Sequence, residues 1–201
     1  MFLDVKKFME ACDQTTTTLN EEQANLYHNL IVEEWNEFLD TFKQEADAQN
    51  VEERRAAVVV RLEGCLDSRW VTYGYVLSID PPGLEEYEKI HKFKFNEKVS
   101  AVMLDRSQAS EVKLEDLQKE YDDLNESIKS RNEATFQSVK FVWSLYKYAV
   151  FQGWSVNLGW AEVTRSNMAK VDPISGKVIK NAAGKVQKPE GWTPPDLTRF
   201  V

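Results

Sequence analysis

Cysteine and histidine are the rarest residues in this chain of 201 residues, which holds two of each. Two cysteines, Cys12 and Cys65, provide neither a disulfide framework nor a Cys-x-x-Cys metal site. Both cysteines lie in helical patterns, where a buried free thiol is expected. Free thiols fit a reducing compartment, so a cytoplasmic location is expected.

Long apolar runs and positive charge are also in short supply. No stretch reaches about 18 uncharged apolar residues, so no membrane span is expected. The opening "MFLDVKKFMEACDQ" carries charge from its fourth residue, which is not typical of a secretory signal. The 33 acidic residues outnumber the 25 basic ones, for a formal net charge of -8. That balance repels phosphate backbones, so no nucleic-acid partner is expected.

Strand signals are scarce and helical periodicity is common, so the sequence predicts an all-α fold. Asn20 is predicted to cap the second helix, with Gln23 as its capping-box partner. The tandem prolines of "DPPG" (80–83) and Gly153 are predicted to end two of the helices. The predicted helices cover residues 3–12, 21–49, 52–78, 84–104, 138–154 and 158–171.

Two further segments differ from these helices in composition. The charged segment 105–137 predicts a solvated helix or a helical hairpin, partly coiled-coil-like. The tail, residues 171–201, is rich in Gly and Pro and predicts a small hairpin around "NAAG" followed by an extended arm. We therefore expect an all-α domain over residues 1–170, followed by this tail.

Acidic side chains interrupt the apolar stripe of the second predicted helix, in "LIVEEWNEFLD" (30–40). On a helical wheel of about 100° per residue, with Leu26 at zero, Glu37 falls at about 20° and Glu34 at about 80°. Both angles lie within the apolar arc, whereas Glu33 lies at its edge and is an auxiliary ligand at most. Glu34 and Glu37 are three residues apart and therefore neighbours on one face.

The third predicted helix repeats this arrangement, because Glu63 and Asp67 lie four residues apart on a face shared with Leu66 and Trp70. An ionised carboxylate is costly in a low-dielectric site unless it is paired or coordinated. A divalent cation between the two helices would account for both pairs, and oxygen-only ligands select Mg²⁺ first and Mn²⁺ second. Mg²⁺ usually completes its shell with water and substrate phosphates, so the pattern indicates a polyphosphate site.

Three other interpretations stay open. The acidic stretches can form a solvated helix face, since Glu is a good helix former. The carboxylates can also form buried salt bridges with Arg61, Arg69 or Lys43. A di-iron carboxylate bundle needs two Glu-x-x-His pairs, and the chain has only one, Glu88 to His91, since His28 does not follow a glutamate by three.

These motifs resemble the all-α nucleoside triphosphate pyrophosphatases. That superfamily includes MazG-type, dCTP/dUTP-hydrolysing and phosphoribosyl-ATP pyrophosphohydrolase-like proteins. Its pattern pairs an ExxE on one helix with an acidic pair on the next, which "EEWNE" (33–37) and "EGCLD" (63–67) match. The phosphohydrolase-like branch is similar in "DSRWVTYG" (67–74), "EVTRSNMAK" (162–170) and the "PPDL" (194–197) of the tail. The resemblance covers roughly residues 1–79 and 142–197.

The resemblance implies a helical bundle that forms a homodimer or homotetramer. It implies Mg²⁺-dependent hydrolysis of a nucleotide between its α- and β-phosphates, releasing pyrophosphate, with an activated water as the nucleophile. The implied metal-binding and catalytic residues are Glu34, Glu37, Glu63 and Asp67.

The resemblance also implies nucleotide or phosphate contacts from Asn167, Lys170 and, less directly, Arg165. Lys170 can equally be a lysine that meets the helix C-terminal dipole, and Arg165 can be plain surface charge. The aromatic side chains that could stack on a base are Trp35, Trp70 and Tyr73, and each can equally be a core residue.

The sequence departs from the family pattern at three places. Residues 84–141 look inserted between helices that are normally adjacent. Arg69 stands where an apolar residue is usual, and Thr164 stands where histidine is common. A second interpretation of the whole chain is a helical binding or assembly protein without turnover, with the charged segment 105–133 as its partner surface.

Overall fold

Helices account for the secondary structure of the described residues, which in this computed structural model are 1–86, 112–181 and 186–201. In those ranges the backbone forms no β-strand, only two isolated antiparallel bridges, so the all-α prediction is confirmed. Residues 81–86 are also helical. The six full helices are α1 (Phe2–Ala11), α2 (Glu21–Asp47), α3 (Val51–Ile79), α4 (Leu114–Ser130), α5 (Ala134–Phe151) and α6 (Val156–Met168).

The start of α2 is capped as predicted, but its capping box is absent. The side chain of Asn20 accepts the Gln23 backbone N–H at 3.0 Å. The Gln23 side chain is buried and points elsewhere, because its Nε2 donates to Thr15 O and to Ser78 Oγ, each at 2.8 Å. The prediction that Gln23 returns to the cap is therefore wrong, since a partner 55 residues away satisfies its amide.

Proline and glycine end helices where they were predicted to. Asp80 closes α3 and also caps the following turn, because its Oδ1 accepts the Gly83 N–H at 3.0 Å. Pro81 then occupies the first helical position, where a missing N–H costs nothing. At the end of α5, Gly153 adopts a φ of 87°, and Trp154 N–H reaches Ala149 O at 3.1 Å. That pairing is a Schellman motif, which needs a left-handed residue at this position.

Helix α3 lies in the middle of the bundle and packs against α1, α2, α5 and α6. Its buried positions run almost continuously from Arg61 to Ser78, so it is surrounded on most sides. The charged segment contributes to the same core. Tyr121 of α4 stacks on Trp35 of α2 with ring centroids 4.9 Å apart, and Phe141 of α5 meets Trp35 edge-on at 5.6 Å.

The helical prediction for residues 105–137 is confirmed where the structure describes it, as a hairpin of α4 and the first turn of α5. Leu117 and Leu124 of α4 are fully buried, so this hairpin is solvated on one face only. Residues 87–104 of the predicted fourth helix and the first residues of the charged segment lie outside the described ranges. The interpretation of 84–141 as an insertion stays a prediction.

The tail folds back along the helices. Lys177 Nζ donates to Glu10 O at 2.9 Å and Lys180 Nζ to Cys12 O at 2.6 Å, which satisfies carbonyls at the end of α1 that have no partner within the helix. Residues 180 and 186 form an antiparallel bridge, while the turn of the predicted hairpin lies within the undescribed 182–185. Leu197 is 1% exposed and belongs to the main core.

None of the helices in the described ranges combines the length and the apolar character that crossing a membrane requires.

Candidate functional site

A glycine sets the spacing of α2 and α3 at the candidate site. A Cβ built on Gly64 would lie 3.2 Å from Phe38 Cα and 3.3 Å from Phe38 Cβ. Real Cβ atoms rarely approach a neighbour so closely, so the absence of a side chain at this position lets the two helix backbones come together. The acidic residues of both helices flank this contact.

Four carboxylates line one pocket beside Gly64. The pocket has a volume of about 180 Å³, and its lining includes Val60, which is 42% exposed. Its acidic lining, named the carboxylate pocket below, consists of Glu34, Glu37, Glu63 and Asp67. The structure therefore brings together all four residues of the predicted metal site, and Glu33 is exposed and absent from the lining.

The helical wheel placed these residues correctly relative to one another but centred the buried arc wrongly. Leu26, the zero of the wheel, is 47% exposed, whereas Ile31 and Phe38 are fully buried. The buried arc therefore lies at about 120° on that wheel. Glu34 at about 80° is inside the arc and half-buried, and Glu37 at about 20° is exposed at its flank. The expectation that Glu37 is a residue of the buried stripe is wrong for this reason.

Mutual repulsion and burial raise the proton affinity of the pocket. Burial, followed by the charges of Glu37, Glu33 and Glu63, raises the pKa of Glu34 to about 7. Burial and then Glu37 raise the pKa of Glu63. Burial raises the pKa of Asp67 well above its usual value, and the charges of Glu34 and Glu63 add to that effect. Without a bound cation, the pocket is costly to ionise fully.

The salt-bridge interpretation would pair the pocket carboxylates with Arg61, Arg69 or Lys43, and these residues do not neutralise the pocket. Arg61 is buried and pairs with Glu45, with Nη2 2.7 Å from Oε2. Arg69 is 2% exposed and lies over the rings of Tyr146 at 5.0 Å and Trp160 at 5.4 Å, away from any carboxylate partner. Across the described ranges, none of the four pocket carboxylates forms an ion pair with these two residues or with the exposed Lys43.

The donor set of the pocket fits a hard divalent cation, because it offers carboxylate oxygens and neither nitrogen nor sulfur. In the conformation seen, no three acidic, histidine or cysteine side chains of the described residues converge closely enough to hold a metal ion. A cation could be held here only if the pocket side chains rotated towards it. The raised pKa values are in keeping with such a site, since a nearby cation would offset both the burial and the repulsion that cause them.

Lys170 is the basic residue whose charge acts on the pocket. Burial lowers the pKa of Lys170, while the charge of Asp67 raises it and that of Lys188 lowers it. Lys170 Nζ donates to the side-chain oxygen Oδ1 of Asn167 at 2.8 Å. This hydrogen bond is therefore to a side chain and not to a carbonyl at the C-terminus of α6. The structure thus places two of the predicted phosphate contacts, Asn167 and Lys170, next to each other and within electrostatic reach of Asp67.

Arg165 is engaged elsewhere. Its guanidinium pairs with Glu162, with Nη2 2.8 Å from Oε1. It also donates to Thr193 Oγ1 at 3.2 Å and to Pro194 O at 3.0 Å. Arg165 therefore fastens the tail to α6, and the structure does not bring it into the carboxylate pocket.

The three aromatic residues considered for base stacking are core residues. Trp70 is 6% exposed and packs against Phe8 and Trp160, with ring centroids at 5.9 Å and 5.4 Å. Tyr73 meets Trp160 edge-on at 6.1 Å, and Trp35 is 1% exposed. None of these three rings presents a free face on which a base could stack.

Sequence reasoning missed two tail residues beside Lys170. Trp192 donates its indole N–H to Ser166 O at 2.8 Å, and Lys188 Nζ lies 4.2 Å from the centre of the Trp192 ring. Lys170 Nζ lies 5.5 Å from the same ring. The available sequence signal was the tryptophan in the Pro- and Gly-rich stretch "KPEGWTPP". So large an apolar side chain is not expected in an extended, solvated arm, and it indicates packing against the rest of the protein.

The di-iron interpretation gains nothing from the structure. His28 Nε2 lies 2.9 Å from the Asn125 side-chain oxygen, which joins α2 to α4. The pair Glu88 and His91 lies outside the described residues.

The chain was compared with models of known protein families, with curated proteins and with solved structures, and none of the three comparisons gives a match.

Proposed function

We propose that this protein is a Mg²⁺-dependent nucleotide pyrophosphohydrolase. It cleaves a nucleoside triphosphate, a deoxynucleoside triphosphate or a related nucleotide between the α- and β-phosphates, to give the monophosphate and pyrophosphate. Mn²⁺ is the alternative metal. The proposal also includes the finer fold assignment, an all-α bundle of the MazG-like type.

The observation that carries the proposal is the carboxylate pocket. Four carboxylates from two adjacent helices line a single cavity of about 180 Å³. A structural role would pair such charges with arginine or lysine, but Arg61 pairs with Glu45 and Arg69 lies against aromatic rings. Unpaired carboxylates that repel one another are costly to the fold, which favours a binding role for them.

Each part of the pocket has a proposed task in this chemistry. A bound divalent cation supplies charge neutralisation at the phosphates and lowers the pKa of a water molecule. The four pocket carboxylates would hold the cation, which would offset the burial and the repulsion that raise the pKa of Glu34 to about 7 in its absence. Lys170 and Asn167 face the departing phosphates, where a compact ammonium charge is an effective partner.

Two further properties belong to the proposal. The resemblance implies a homodimer or homotetramer, which light scattering on the purified chain tests directly. A cytoplasmic location fits Cys12 and Cys65, which are both buried free thiols and would remain reduced there.

The test is a panel of ribonucleotides and deoxyribonucleotides incubated with the protein and Mg²⁺, followed by assay of pyrophosphate and of the monophosphate. We expect release with at least one nucleotide, and a fall of about 100-fold or more in Glu63→Gln, since loss of a ligand exceeds the effect of a more distant partner. The matched control is Asp40→Asn, which removes an exposed carboxylate of α2 outside the pocket.

Two outcomes would contradict the proposal. One is the absence of pyrophosphate release from every nucleotide. The other is release that Glu63→Gln leaves unchanged, which would point to a contaminating enzyme. Either outcome would favour the second interpretation, a helical binding protein without turnover, whose proposed partner surface includes the outer face of α4.

A further inference from the structure

The tail contains a reverse turn that folds two of its side chains onto each other. Trp192 N–H donates to Pro189 O at 3.1 Å, and Gly191 between them has a φ of 77°. A left-handed glycine at the third position is the signature of a type II turn. The turn directs Lys188 back over the Trp192 ring, at 4.2 Å from the ring centre.

The tail is held against α6 at this turn by several hydrogen bonds. The Trp192 indole donates to Ser166 O at 2.8 Å, and the Ser166 hydroxyl donates to Thr193 O at 3.2 Å. Arg165 adds a bond to Pro194 O at 3.0 Å. Three contacts over three successive tail residues fix the position of the Trp192 ring relative to the end of α6.

The indole ring brings two ammonium groups together. Lys170 and Lys188 approach its centre to 5.5 Å and 4.2 Å, so their nitrogens lie within about 10 Å of each other, a span that a chain of phosphates bridges. Neither lysine forms an ion pair in the described ranges, although the chain carries an excess of acidic residues. The partner of Lys170 is the neutral amide of Asn167.

Lys188 is exposed and Lys170 is half-buried, so an anion that approaches Lys188 from solvent can neutralise two ammonium groups that have no counter-ion in the described ranges. The carboxylate pocket beside the two lysines indicates which anion they would bind, because Lys170 is within electrostatic reach of Asp67 in that pocket. We propose that Lys188, held by Trp192, forms with Lys170 a subsite for the terminal phosphates of the substrate, so that the tail selects triphosphates over diphosphates.

This inference rests on the proposed function for the identity of the substrate, but its central claim concerns binding. The probe is inorganic tripolyphosphate in the presence of Mg²⁺, titrated calorimetrically into the full chain. We expect Lys188→Gln to weaken tripolyphosphate binding by about tenfold, the value of one charge-assisted contact. Lys188→Arg, which keeps the charge, should bind nearly as well as the unaltered protein.

The matched control is Lys129→Gln, which removes an exposed lysine of α4 that forms no ion pair in the described ranges. It should bind tripolyphosphate normally. For a nucleotide that is hydrolysed, Lys188→Gln should raise KM about tenfold, leave kcat nearly unchanged and reduce the preference for the triphosphate over the diphosphate. A merely structural role of Lys188 would alter thermal stability and leave this preference intact.

The outcomes separate the two proposals. Binding of tripolyphosphate that depends on Lys188, without hydrolysis of any nucleotide, would support the subsite and overturn the pyrophosphohydrolase. Hydrolysis with a KM and a triphosphate preference that Lys188→Gln leaves unchanged would overturn the subsite alone. The subsite would also fall if the unaltered protein bound no tripolyphosphate, or if Lys188→Gln and Lys129→Gln bound it equally.

Discussion

Glu34 shares its pocket with three other carboxylates, and this single residue links pH to the stability of the fold. Its pKa is about 7 in the folded chain, against an ordinary value of 4.5. Between those values the folded protein holds a proton that the unfolded chain has released. The free energy of unfolding therefore falls as pH rises through this window and stays lower above it.

We expect Glu34→Gln, measured without divalent cations, to reduce the loss of stability between about pH 5 and pH 8 by on the order of 2 kcal/mol. Urea unfolding at the two pH values gives the difference. Asp40→Asn, an exposed change on the same helix, should keep the full pH dependence. An identical slope in Glu34→Gln and in the unaltered protein would show that the pocket does not repel as described. Mg²⁺ should stabilise the unaltered protein most at the higher pH.

For a substitution at Gly64 we predict a change in stability opposite in sign to the one expected from helix propensity. Replacing glycine by alanine in an open helix position gains up to about 1 kcal/mol. At Gly64 the new methyl group would meet the Phe38 backbone at 3.2 Å. We expect Gly64→Ala to lose about 1–3 kcal/mol of stability, because overpacking separates the helices, and to lower pyrophosphate release with it. Denaturant unfolding checks the sign, and a stabilised variant would contradict the close approach.

The acidic pocket was predictable from the sequence because its members recur at helical spacing within or beside apolar faces. The exact burial of each member was not. Leu26 looks like a stripe residue and is exposed, since no helix within the described ranges covers that edge of α2. The position of Lys188 beside Trp192 was not predictable, because it depends on a turn and on hydrogen bonds to α6 that have no periodic pattern in the sequence.

At the scale of elements, the connector between α1 and α2 is held by one buried side chain. Gln23 donates to Thr15 O and to Ser78 Oγ, and its Oε1 accepts the Thr15 N–H at 3.1 Å. We expect Gln23→Ala to cost about 2 kcal/mol, because it leaves buried polar groups without partners. Thermal unfolding should show the loss, and the exposed Gln44→Ala on the same helix should show none. Equal losses in both variants would mean that Gln23 acts through helix propensity alone.

Outside the charged segment, the described helix ends were predictable to within four residues, because apolar spacing, asparagine caps and prolines mark them. Tertiary partners were not, as Gln23 illustrates. Its spacing from Asn20 suits a capping box, yet a buried contact with α3 takes precedence. The packing of α4 on Trp35 was likewise not predictable from the sequence, because a highly charged helix needs only a narrow apolar stripe to pack against a core.

For the whole molecule, the tail is a part of the core and not an appendage. Leu197 is 1% exposed, whereas Ile174, also in the tail, is 95% exposed. We expect Leu197→Ala to lose about 2–4 kcal/mol through cavity formation, and Ile174→Ala to change stability by less than about 0.5 kcal/mol. Denaturant midpoints of the two variants give the comparison. A Leu197→Ala protein as stable as Ile174→Ala would show that the tail detaches in solution.

The carboxylate pocket also has a consequence for how the chain folds. All four pocket carboxylates lie between residues 34 and 67, on two helices joined by a short connection capped by Asn50. Contacts so close in sequence tend to form early. The hairpin of α2 and α3 must then bring its mutually repelling carboxylates together before the positive charges of distant segments, such as the tail, are close enough to offset the repulsion. Acid or a divalent cation should therefore accelerate refolding. In stopped-flow measurements, the folding rate should rise by a larger factor than the unfolding rate falls.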